Sequence, residues 1–192
     1  MEDPTEAAAV RQTAIIEAAT SVFLRYGFKK TSMADLASAA GLSRQALYLY
    51  FPTKEALFKA MVAHSVQGMR SAAREALARE DLDLEGRLLS AFEAIHGRTA
   101  GSENLDELLA TTVALVGPVV RDLEEDLITD VAHALRAASV ATRWKETGVS
   151  AKHLAEHLSA VSDGIKRRAK TPAEYRDRMR IAVRLVCRSA PR

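Results

Sequence analysis

The sequence predicts an all-α protein, and three observations carry that prediction. Apolar residues recur at intervals of three and four from Ile15 to Val186. No stretch of useful length alternates apolar with polar residues, as a half-buried strand would. Glycines and prolines fall between the periodic segments, at Gly27, Gly41, Pro52, Gly117, Pro118, Gly148 and Pro172, where helices are expected to stop or start. The composition is that of a globular protein, 48% hydrophobic and 27% charged. A chain of 192 residues has room for one domain or two small ones. No run approaches the ~20 apolar residues that a membrane span needs. The acidic first ten residues lack the basic-then-apolar pattern of a signal peptide. Cys187, the one cysteine, cannot form an internal disulfide, which fits a cytoplasmic protein.

Taken in order, Asp3, Pro4 and Glu6 start a first helix whose stripe is Ile15, Ala18, Ala19, Val22, Phe23 and Tyr26. Gly27 stops it, and Phe28 tucks back as the apolar residue after the stop. Ser32 and Asp35 form a capping box for a short helix carrying Met33, Leu36, Ala37 and Ala40. Gly41 ends that helix because glycine accepts a left-handed backbone. Ser43 caps the next helix, which turns Leu47 and Phe51 inward and offers Arg44 and Gln45 in its first turn. Pro52 blocks continuation, and Thr53 caps a long helix to about Ala78, with Leu57, Phe58, Met61 and Val62 on its stripe. That helix spans roughly 35–40 Å at ~1.5 Å per residue, with Gly68 as a weak point.

Five further helices are predicted beyond Arg79. Asp83 caps a helix with Leu88, Leu89, Phe92 and Ile95 inward. Gly97 to Gly101 is a loop, and Ser102 caps a helix reaching Val116. Gly117 and Pro118 end it and open another, with Leu123, Leu127, Val131 and Ala134 on its stripe. After the turn at Gly148 and Ser150, a helix carries Leu154, Leu158, Val161 and Ile165. Thr171, Pro172 and Glu174 then start the last helix, which holds Tyr175, Met179, Ala182, Val183 and Val186.

A short helix set off from its predecessor by a tight glycine turn suits the major groove of DNA. Arg44 can donate two hydrogen bonds to guanine, and Gln45 can pair bidentately with adenine. The Tyr48 hydroxyl, one turn on, can meet a phosphate. Thr31, Ser32 and Lys54 stand at helix starts, where hydroxyl, ammonium and free N–H groups favour an anion. Net charge is only +2, but Arg25 to Lys59 holds six basic residues against two acids. That local excess fits a phosphate-facing surface.

The segment from about Arg11 to Leu57 resembles the DNA-binding domain of TetR-type transcriptional regulators. The resemblance rests on Ile15, Phe23, Gly27, Thr31, Ser32, Leu36, Ala37, Gly41, Leu42, Ser43, Leu47, Tyr48, Phe51, Lys54 and Leu57 in that order, over about a quarter of the chain. It implies an N-terminal three-helix helix-turn-helix domain, residues 1–54, joined by the long helix to a helical ligand-binding and dimerisation domain, residues 55–192. It implies a homodimer on a palindromic double-stranded DNA operator, acting as a repressor released by a small-molecule effector. It gives Thr31 or Ser32, Tyr48 and Lys54 to phosphates, and Arg44 and Gln45 to bases. Members of the family commonly carry a small residue where this chain has Gln45, so base preference does not transfer. The last two helices are implied to form the dimer interface, which places Leu158, Ala160, Gly164, Met179 and Val183 there; Ala160 and Gly164 are small enough for close helix approach.

Other polar residues have quieter readings beside functional ones. Thr112 suits a bond to the carbonyl one turn back, or a polar contact in an effector pocket. His96, with Phe92 before it, suits a partly exposed position at a helix end, or the same pocket. Trp144 fits a pocket wall, a core cover and a dimer interface equally. These faces offer few charges, which favours an apolar effector. His153 and His157 have metal-ligand spacing, but two ligands are not a site, so no metal and no cofactor are expected. Cys187 reads as a core residue. Lys166 to Arg192 holds ten basic residues and two acids, read as a solvated face paired with acids such as Asp122, Glu124, Glu125 and Asp126. No phosphate loop, nucleophile motif or paired carboxylates support an enzyme. A helix-turn-helix protein of architectural or interaction type, binding DNA without an effector, is the alternative.

Overall fold

The structure is a computed structural model that describes residues 4–97 and 104–188. The described residues form eight α-helices and no strand: α1 Pro4–Lys30, α2 Met33–Ala39, α3 Arg44–Tyr50, α4 Lys54–Ala78, α5 Leu84–His96, α6 Leu105–Ala137, α7 Ala151–Arg168 and α8 Pro172–Cys187. Val140–Thr147 adds a short 3-10 helix that hydrophobic periodicity did not reveal. Ser102, the expected cap before α6, lies outside the described residues, as does most of the loop after Gly97. The expected weak point at Gly68 does not interrupt α4.

The chain divides into two compact units. The first holds the chain up to Val66 together with α6 as far as Val120; the second holds the remainder. A boundary near residues 54–60 was expected, but the first unit also takes in the start of α4 and returns in α6. Periodicity along the chain cannot show that a later helix comes back to an earlier one. α6 bends at Val116 (φ −147°, ψ 31°), two residues before Pro118. The proline lacks an N–H and its ring crowds the preceding turn, so the two predicted helices appear as two arms of one bent helix.

In the first unit, α1 bends at Gly27 (φ 78°, ψ 169°), a region open essentially to glycine alone. Phe23, Phe28 and Phe58 pack together across the bend, with ring centroids 5.0–5.9 Å apart. Ile15, Leu36, Leu47, Phe51 and Leu57 complete this core. Ser32 and Asp35 make the expected capping box. After α2, the Leu42 N–H donates to Ala37 O (2.9 Å) and the Gly41 N–H to Ser38 O (3.1 Å), with Gly41 at φ +64°. That closes the turn as a left-handed C-terminal motif with Leu42 as its apolar member.

In the second unit, Leu88 and Phe92 of α5, Leu127, Val131 and Leu135 of α6, Leu158 of α7 and Tyr175 and Met179 of α8 form the core. Inside it runs a polar chain. The Tyr175 hydroxyl donates to the Phe92 carbonyl (3.1 Å) and lies 2.7 Å from Ser162 Oγ, which is 2.6 Å from His96 Nδ1. With Tyr175 donating to Phe92, Ser162 can donate to Tyr175 and the neutral His96 Nδ1–H to Ser162, so each hydroxyl both gives and accepts. Burial, aided by the Lys166 ammonium, pulls the His96 pKa from 6.5 down to about 3.

This chain sets two expected outcomes. Tyr175→Phe removes the middle of the relay and is expected to cost about 1–3 kcal/mol in urea unfolding at pH 7. Because folding lowers the His96 pKa, unfolded chains bind the extra proton. Stability from His96 is therefore complete above pH 6.5 and declines as pH falls towards 3. Between pH 6.5 and 5 the loss is expected to be roughly 2 kcal/mol, and His96→Gln should flatten that part of the profile.

Candidate nucleic-acid interface

α3 is seven residues long, and only Leu47 among them is buried. Its N-cap is Ser43, whose hydroxyl accepts from the Ala46 N–H at 3.1 Å. Arg44, Gln45, Tyr48 and Leu49 recur at the spacing of one helical face, and all four are exposed. The Arg44 guanidinium donates to the Tyr48 hydroxyl (3.2 Å) and sits 5.6 Å from its ring centroid. Tyr48 thus holds Arg44 in place across one turn, a link between two residues that had been assigned separately to phosphate and base. Leu49, 87% exposed, was missed. Its position two residues after inward Leu47 is the signal that could have found it, because such a leucine faces solvent or a thymine methyl.

Two expected phosphate contacts are engaged within the protein. Thr31 is 3% exposed, and its hydroxyl donates to Gly27 O at 2.6 Å. The Lys54 ammonium donates to Phe28 O and Thr31 O, both at 2.9 Å, and lies 4.3 Å from the Phe28 ring centroid. At the Gly27 bend Phe28 O receives only a long backbone bond from the Thr31 N–H (3.4 Å), and Lys54 supplies a shorter one to it and another to Thr31 O. Ser32 is exposed, but its hydroxyl donates to Asp35 Oδ2 at 2.6 Å. That bond, with a second from the Ser32 N–H, holds the Asp35 carboxyl below its usual range.

The bend is also gripped by the start of α6, within the same unit. Asn104 Nδ2 donates to Leu24 O (3.3 Å) and Arg25 O (2.8 Å), and Glu107 Oε1 accepts from the Lys29 N–H at 2.8 Å. A Cβ at Gly27 would stand 2.7 Å from Glu107 Oε2 and push the end of that side chain aside, while the backbone angle is what requires glycine there. These contacts span about eighty residues of sequence and left no local signal.

Charge is divided unevenly. Every ion pair among the described residues lies in the second unit. The basic C-terminal stretch is paired there, though not with the expected acids. Lys166 and Arg167 meet Asp163, Arg176 meets Glu93, and Arg184 and Arg188 meet Glu85, while Asp126 pairs instead with Arg70 and Arg74. In the first unit, Arg25, Lys29, Lys30, Arg44 and Lys59 face no carboxylate partner among the described residues.

Of the effector candidates, Phe92 and His96 belong to the buried polar chain of the second unit. Thr112 lies on the first arm of α6, in the other unit, and the carbonyl bond expected of it is made by Thr111 (to Glu107 O, 2.8 Å). Trp144 borders an open groove of about 400 Å³ with Leu154, Val161, Arg178, Ile181 and Leu185. Within the second unit, Trp144 lines that groove while Phe92 and His96 do not. Among the dimer candidates, Leu158, Met179 and Val183 are at most 1% exposed. They fill the protomer's own core and have no surface left for a partner. Ala160 and Gly164 are exposed, and so are Ile181 (61%) and Leu185 (71%), which sequence reasoning passed over. His153 Nδ1 accepts from the Ser150 N–H (3.3 Å) and completes the cap of α7. Burial raises the half-buried Cys187 thiol to about 11.

Residues 15–61 match the family of bacterial regulatory proteins named tetR. Over those residues the chain is similar to the TetR family. Over 61 residues the chain is 41% identical to YfiR, an uncharacterised helix-turn-helix transcriptional regulator of Bacillus subtilis. It is 32% identical over 82 residues to the repressor ComR of Escherichia coli, and 34% over 84 residues to the activator FasR of Mycolicibacterium smegmatis. These matches span 31%, 43% and 44% of this chain, but only 30%, 39% and 38% of the relatives' own lengths. The fold extends further: a TetR-family regulator from Mesorhizobium loti superposes with a TM-score of 0.68, covering 96% of this chain and 97% of that one, at 20% identity. The TetR-type domain ends within α4, so the family match stops short of the second unit.

Lys54→Met keeps the stem and removes both charged donors. It is expected to lower the stability of the TetR-type domain by about 1.5–3 kcal/mol in urea unfolding followed by far-UV circular dichroism. An unchanged midpoint would show that the two carbonyl bonds contribute nothing.

Proposed function

We propose that the chain is a ligand-responsive transcriptional repressor that binds a palindromic operator as a homodimer and is released by a small-molecule effector. The observation that carries this reading is the exposed face of α3, where Tyr48 holds Arg44 beside Gln45 and Leu49, on a domain whose basic residues make no ion pair among the described residues. Arg44 and Gln45 are the base readers, and each subunit reads one half-site. The named relatives are regulators and include both a repressor and an activator; repression is the sense we adopt.

Dimerisation is supported by Ile181 and Leu185, two large apolar side chains one turn apart on α8 and largely exposed, with exposed Ala160 and Gly164 on α7. Effector response is the family's habit, and the few charged groups on the candidate faces favour an apolar effector. Such a molecule shifts operator affinity only as far as it binds the two states unequally.

The direct test is selection of bound fragments from the source genome, followed by titration of the preferred duplex. A specific fragment, released by a small molecule, is expected. Binding that no small molecule alters would favour the effector-free alternative. Arg44→Ala is expected to cost about 1–3 kcal/mol on that fragment and to relax preference at one base pair. Ile181→Asp with Leu185→Asp should give monomers in analytical ultracentrifugation and weaken operator binding; persistent dimers would place the interface elsewhere.

A further inference from the structure

α3 and its neighbours leave three cations of the head without a role. Arg25, Lys29 and Lys30 stand at the end of α1, all exposed and none ion-paired among the described residues. Exposed lysines are common; these are set apart by their placement. Arg25 and Lys30, on either side of the Gly27 bend, line one open groove of about 670 Å³ between α1 and α2, with Ser21, Tyr26, Thr31 and Ser38. The Arg25 guanidinium lies 5.2 Å from the Tyr26 ring centroid, a contact that holds it near the groove. Asp35 also lines the groove, and its carboxylate is already occupied by the Ser32 hydroxyl and N–H. Its negative charge repels an anion from the groove itself, so a polyanion would follow the basic rim.

We propose that Arg25, Lys29 and Lys30 form a phosphate track that grips the DNA backbone outside the bases met by α3. The occupant is duplex DNA. α3 belongs to the same compact unit, and three exposed cations with no ion pair among the described residues complement the backbone of a duplex, with Glu107 at the bend engaged by the Lys29 N–H. The rim offers no planar donor pair aimed from a recognition helix, so its contacts add affinity and position but carry no base preference. The inference rests on the reading of α3 as the operator-binding helix and extends it to flanking sequence.

The test uses the full-length protein and two duplexes carrying the selected operator, one trimmed to the two half-sites and one extended by about ten base pairs, one helical turn, on each side. Dissociation constants are measured over a salt series for the wild type and for the triple variant Arg25→Gln, Lys29→Gln, Lys30→Gln, with circular dichroism as the folding control. The wild type is expected to show the steeper salt slope on the long duplex, by about 0.9 for each flanking phosphate contacted. The triple variant is expected to lose that excess while keeping its affinity for the trimmed operator. An excess that survives the triple substitution overturns the track, and so does an equal loss on both duplexes or an unfolded variant. A wild type that prefers no fragment over random duplex overturns the operator reading, and this inference with it.

Discussion

The N-terminal head depends on how the bend between α1 and α2 is satisfied. Gly27 supplies a backbone angle that other residues avoid, and the bend strips several carbonyl and N–H groups of their helical partners. Several of the replacements come from a distance. Lys54 takes two carbonyls, Asn104 takes two more, and Glu107 takes the Lys29 N–H, while the Thr31 hydroxyl closes the loop onto Gly27. Three aromatic rings pack beneath. Buried or half-buried polar groups are costly when left alone, so this loop has one well-satisfied geometry. α2 and α3 follow directly from it, and the exposed face of α3 inherits its placement.

The two units treat charge in opposite ways. The second folds its arginines and lysines against carboxylates on neighbouring helices, so the strongly basic C-terminal stretch is largely neutralised within the protomer. Such exposed pairs add little stability, but they remove free positive charge from the surface. In the first unit Arg25, Lys29, Lys30, Arg44 and Lys59 meet no carboxylate among the described residues, although nine acids stand against seven basic residues in that unit, so its positive charge is a matter of local placement and not of net charge. The interior of the second unit is specialised in another way: the His96, Ser162 and Tyr175 relay ties α5, α7 and α8 together by polar contacts that an apolar core lacks. Partner atoms must be in place for each, which specifies how these helices meet.

Much of the head was legible in the amino-acid sequence, because its determinants are local. Ser32, Asp35, Gly41 and Ser43 act within four residues of themselves, and the structure has them as caps and turn residues. The exposure of Arg44, Gln45 and Tyr48 follows from the inward spacing of Leu47 and Phe51. The internal partners of Thr31 and Lys54, namely Gly27, Phe28 and Thr31, left no signal in the sequence because they meet only after the chain bends. Leu158, Met179 and Val183 were misplaced for a related reason: a helical stripe announces burial but does not say whether the protomer or its copy does the burying.

By itself the sequence determined the helical class, the caps, the glycine turn and the short exposed helix, since each depends on residues one or two turns apart. Only the tertiary structure decided that α6 returns to grip the Gly27 bend, that Lys54 closes a loop, and which cations find acids. Those outcomes rest on groups brought together across up to about a hundred residues, and such pairings are fixed by packing rather than by spacing along the chain.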